Sequence, residues 1–185
     1  MASMARAAAL LRCARAPGWG QADVDNLVRW ARARLGVLWQ SPHAASWDPR
    51  RPVHSNWQIS VLEARLNLAL LVNNTTELGW ASSQLRSIVS NSVGPRGELP
   101  MDDPRDFVHV QFAIGGLMQA AEALHLAGRG LDSALEPRLR AAVENHGAMA
   151  GTSKYPDAGW VLPCGWHLAI RHFKGRLRQP MPGAE

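Results

Sequence analysis

Arg105, His109 and Phe112 stand at i, i+4 and i+7, a spacing that stacks side chains one above another on a single helix face. Arginine keeps its charge at any accessible pH, while an imidazole titrates near neutrality. Such a pair neutralises an anion and moves a proton beside it. The competing reading is an ordinary ion cluster, because Asp102, Asp103 and Asp106 are close enough in sequence to occupy the arginine.

A second set lies in SNWQISVLEARLNLALLVNN, residues 55–74. Asn56, Ser60, Glu63 and Asn67 recur at i, i+4, i+7 and i+11, a polar stripe on a segment otherwise built for burial and suited to line a groove. Asn56 is either the helix cap or, with Ser55 capping instead, an amide free for a ligand. Trp57 either stacks on a sugar ring or packs into the core.

The elements that must carry these residues read as helices. Val24, Leu27, Val28, Ala31, Leu35 and Leu38 keep three-to-four-residue intervals over 20–39, and Ile59, Leu62, Leu66, Ala69 and Leu70 form the apolar stripe of the next helix. A third helix is predicted over Thr76 to Val93, ended by GPRG. A fourth opens after LPMDDP, with Asp103 as its cap and Pro104 in its first turn, and ends at Gly128. A fifth spans about Asp132 to Asn145, and a short one lies near Trp166 to Phe173. Gly115 and Gly116, inside the fourth helix, predict a close helix crossing. No segment alternates strictly, so the fold class is all-α: antiparallel helical hairpins.

The 185 residues fit one domain, 46% are apolar, and 20 basic residues against 15 acidic give a formal charge of +5. That balance favours an anionic partner: nucleic acid, a membrane surface or an acidic polysaccharide. Dispersed arginines and the absence of a helix-turn-helix, zinc-finger or RNA-binding motif argue against nucleic acid. No apolar run approaches the length of a membrane span. Cys13 and Cys164 make neither a disulfide framework nor a zinc site. His167 and His172 are five apart, one off the helical spacing for two metal ligands, so no metal and no cofactor is expected. Residues 1–20, with arginines at 6, 12 and 15 and no acid, read as a flexible or targeting-like segment or as a packed first helix. Residues 21–175 form the helical domain and 176–185 an irregular tail.

SNWQ opening one helix and RDFVH opening another, with a helix and a glycine-containing turn between them, resembles the alginate lyase family of helical polysaccharide lyases over Ser55 to Asp132. In many members Asn-Asn-Trp-Gln is followed by Arg-Asp-x-x-His-Tyr. The resemblance implies part of an α/α toroid and β-elimination of a uronate-containing polysaccharide; a catalytically inactive glycan-binding or scaffold domain of the same fold is the alternative. By the same resemblance Asn56 and Arg105 would meet the substrate carboxylate, His109 would be the base with His54 as an alternative, and Gln58 would orient the sugar. Trp57, Glu63 and Tyr155, the last in the late KYPDAGW loop, complete the candidate binding set. Lyases of this group usually carry a tyrosine on the arginine-bearing helix, and members with an Asn-His motif have histidine where Trp57 stands. Here Val110, Phe112 and Ala113 supply no phenol. Five or six helices make only an arc, so an oligomer that completes the groove is an expectation, and the family suggests an extracellular protein although no convincing secretory signal is present.

Overall fold

The helical periods appear as seven helices in a computed structural model, which describes residues 2–40, 56–100, 106–131, 133–150, 152, 154 and 163–177. They are α1 (Ala2–Cys13), α2 (Gln21–Gln40), α3 (Asn56–Leu71), α4 (Thr75–Ser92), α5 (Phe107–Leu126), α6 (Glu136–Met149) and α7 (Pro163–His172). The fold is all-α. Among the described residues, no helix is long and apolar enough to cross a membrane. Residues 2–13 form a helix packed on α3, with Ala5 and Ala8 buried.

Caps set the boundaries. Asn74, whose side chain accepts from the Glu77 N–H at 3.0 Å, starts α4. The cap of α5 is Asp106 rather than Asp103, which lies outside the described residues; the Asp106 carboxylate reaches the first-turn N–H that an aspartate three positions earlier would leave unsatisfied.

α3 is buried on two sides, which explains its weak amphipathic signal. Ile59, Leu62, Leu66 and Ala69 join the main core with α4, α5, α6 and α7. Val61, Ala64, Leu68 and Leu71 join a second cluster with α1 and α2. The polar stripe falls on one seam between these two apolar faces.

Two anchors fix direction. Ile59 meets Gly116 early in α3, and Arg129, just past α5, donates to the Thr75 carbonyl beyond the end of α3. α3 and α5 therefore run the same way. α7 follows α5 too, since Gly165 touches Gly115 and Arg171 pairs with Glu122 further along. α4 and α6 carry the chain back between them. Both expected glycines of α5 sit at crossings: a Cβ at Gly116 would fall 2.5 Å from Ile59 Cγ2, and one at Gly165 would fall 2.6 Å from the Gly115 Cα. Hydrogen in place of methyl lets three backbones approach.

At the far end of these parallel helices, His172 lies edge-on to Phe173 at 4.9 Å and to His125 at 6.5 Å. Burial pushes its pKa down; Glu136 and Glu122 pull it up, and Arg176 and His125 reinforce the lowering. A histidine held below its unfolded value disfavours folding once the unfolded chain takes up a proton. The docked α7 is thus fully favoured above about pH 6.5 and weakens as pH falls from there through the lower folded value. Thermal melts should show a decline as pH falls below about 6.5 that is smaller in His172→Gln.

Candidate functional site

The first turn of α5 pairs an aspartate with a histidine. Asp106 Oδ1 accepts from the His109 backbone N–H at 3.0 Å and from the ring Nδ1 at 2.7 Å. These bonds, the backbone one foremost, hold the Asp106 carboxyl below its ordinary range, so it is an anion and Nδ1 is the protonated ring nitrogen. In the neutral ring Nε2 then carries the basic lone pair. The His109 side chain is 28% exposed, open enough to meet a ligand.

Helix geometry says where it faces. His109 and Phe112 lie seven and four residues before Gly116 on the face that meets α3 at Ile59. They stand about 10 Å and about 6 Å along the axis from that contact, while Asn56 stands about 4.5 Å along α3. The His109 face of α5 therefore overhangs the start of α3. Of the three positions without a phenol, Val110 and Ala113 are fully buried, whereas Phe112 is 46% exposed. Parallel packing points the starts of α3, α5 and α7 the same way, with the start of α5, capped by Asp106, about 9 Å beyond the other two.

Asn56, Glu63 and Asn67 follow the seam of α3 and are all buried. Asn67 Nδ2 donates to the Glu63 carbonyl at 2.8 Å, spending itself on its own helix. Glu63 Oε1 lies 3.0 Å from Arg6 Nη1 of α1, an ion pair between distant segments. Burial raises the Glu63 carboxyl, and Arg6 pulls it back down. Ser60, between them, is exposed.

The other expected residues divide. Trp57 is 56% exposed and continues the stripe of Val61, Ala64 and Leu68 toward the α1 and α2 side. Gln58 is buried and shares a face with Arg65, which stacks over Trp80 of α4 at 3.6 Å, so it is not on the Asn56 seam. Arg105, His54 and Tyr155 lie outside the described residues. His146 is fully buried, its Nδ1 donating to the Ala142 carbonyl at 2.7 Å. A groove of about 580 Å³ opens at the opposite end of α5, where Arg171 pairs with Glu122 and Arg176 with Glu136.

Sequence reasoning treated Asp106 only as a salt-bridge candidate and gave Arg6 no role. An aspartate three residues before a histidine at a helix start was the available signal for the first. Nothing local signalled the second, because the Arg6–Glu63 contact joins distant segments.

A family model described as alginate lyase matches residues 1–154. No curated protein and no solved structure matches this chain.

Proposed function

Because this chain belongs to the alginate lyase family, we propose that it cleaves a uronate-containing polysaccharide by β-elimination at the ledge where α5 overhangs α3. The observation that supports this reading is the Asp106–His109 pair, which leaves Nε2 as the basic nitrogen of a residue on the helix face that overhangs the start of α3. In this reading the Asn56 amide holds the uronate carboxylate, with Arg105 adding charge as the family resemblance implies. Neutralising that carboxylate stabilises the enolate-like charge as the C5 proton leaves. Nε2 takes the proton, the C5–H electron pair becomes the C4=C5 double bond, and the C4–O bond breaks. Asp106 stabilises the imidazolium. The departing oxygen takes its proton from water.

Incubation with alginate and other polyuronates, followed by ultraviolet absorbance of the unsaturated product, tests this. A steady rise is expected; no rise with any polyuronate would overturn it.

Phe112 favours a second reading, retention of acidic glycan without cutting. It is the outward-facing position of the three that lack a phenol, and its ring donates no proton. Phe112→Tyr puts a hydroxyl on the His109 side of the ledge. Product formation should rise by about tenfold or more, the lower range for general-acid help. An unchanged rate would mean that position 112 does not meet the leaving oxygen.

A further inference from the structure

The seam that begins at Asn56 does not stop there. Seven residues further along α3, about 10 Å on the helix axis, Glu63 holds the guanidinium of Arg6 at 3.0 Å. The Glu63 side chain is almost enclosed, whereas that of Arg6 remains 37% exposed. A guanidinium has five N–H donors in a planar fork, and a single carboxylate oxygen at 3.0 Å occupies only part of it. The Arg6 side chain keeps contact with solvent, and Ser60, on the same stripe of α3 one turn before Glu63, is exposed. α1 carries Arg6 and Arg12 and no acid, and Arg12 is already committed to the Leu71 carbonyl at 2.8 Å. Arg6 is thus a fixed cation on the same seam as Asn56, a few sugar units away along an extended chain.

We propose that Arg6 is a second carboxylate-binding point, gripping a uronate further along the polysaccharide whose reacting unit sits at Asn56 and His109. The proposal rests on the polyuronate reading above. Glu63 is its positioning residue: it aims the guanidinium and, being enclosed, is shielded from the anionic chain. An enzyme with such a point distinguishes long acidic chains from short ones, since a short oligomer reaches Asn56 but not Arg6.

Calorimetric binding of short and long oligouronates tests this. Removing Arg6 alone would leave Glu63 buried without its countercharge and endanger folding, so the main variant is the double change Arg6→Gln with Glu63→Gln, which keeps size and polarity. The native chain should bind the long oligomer more tightly than the short one. The double variant should lose about tenfold for the long oligomer, the lower end for a hydrogen bond to a charged group, and nothing for the short one. Glu63→Gln alone keeps the cation and should retain most of the length preference. Equal losses for both lengths, no loss for the long one, or a Glu63→Gln loss as large as that of the double variant would each overturn the proposal. If oligouronates of neither length bind the native chain, the polyuronate reading falls with it; if short ones are bound and cut while length adds nothing, only the Arg6 inference falls.

Discussion

His109→Gln should reduce formation of unsaturated product by roughly 100- to 10,000-fold, the range general-base removal commonly costs. Binding of a saturated oligouronate should change little. Glutamine keeps the length and polarity of the side chain but cannot take a proton. A fall in kcat with KM nearly preserved would identify an interaction made only in the transition state. Asp106→Asn should act in the same direction, because the amide no longer stabilises the imidazolium and no longer fixes the proton on Nδ1. Asp106 itself stays ionised well into acid, its carboxyl being held low by its bonds from the His109 backbone and ring N–H groups. Unchanged kcat in His109→Gln would remove the proposed base from the reaction.

Trp166→Ala should cost about 3–5 kcal/mol, the usual range for deleting a buried tryptophan. That is a large share of the 5–15 kcal/mol typical of a whole domain. Trp166 is fully buried, stacks on Phe107 with ring centroids 6.2 Å apart, and donates from Nε1 to Gln111 Oε1 at 3.3 Å. Phe107 immediately follows the Asp106 cap, so the same ring that fills the core also seats the helix start that presents His109. Urea unfolding should show a lowered midpoint with little change in slope. Trp166→Phe should lose only about 1 kcal/mol, keeping the stack and giving up the hydrogen bond. Trp166 lies beyond the residues that match the family, yet it belongs to the α7 face that packs against α5.

Most of the helices were legible because periodicity is a local property. α2 and α4 fall within a residue or so of their expected spans, and α7 begins only a few residues early. α5 starts later than expected, since aspartates at 102, 103 and 106 and a proline leave several start signals in competition, and α6 starts at Glu136 rather than near Asp132. The close crossing at Gly115 and Gly116 was also readable, as glycine inside an apolar helix costs stability unless something must come near. The polar stripe of α3 was visible, but its environment was not. Whether Glu63 faces solvent, sugar or a salt bridge depends on where α1 docks, and α1 docks through two alanines that carry little sequence signal. Gln58 and Asn56, two residues apart, turn to different sides of a helix buried on both, so closeness in sequence was misleading about shared purpose. His109 was identifiable from its type and its place near a helix start, while its partner emerged only when Asp106 proved to be the cap.

The central claim is that His109 holds its proton on Nδ1, against Asp106, and turns an unprotonated Nε2 toward an acidic sugar. Side-chain nitrogen NMR of the histidines, with His109 assigned through His109→Gln, measures this directly during titration with a saturated oligouronate. The account predicts an Nδ1–H tautomer at neutral pH and a shift of the His109 Nε2 signal that follows oligouronate concentration and is absent with an uncharged oligosaccharide. A proton on Nε2 in the free protein, or a His109 signal that stays still while other resonances report binding, would contradict it.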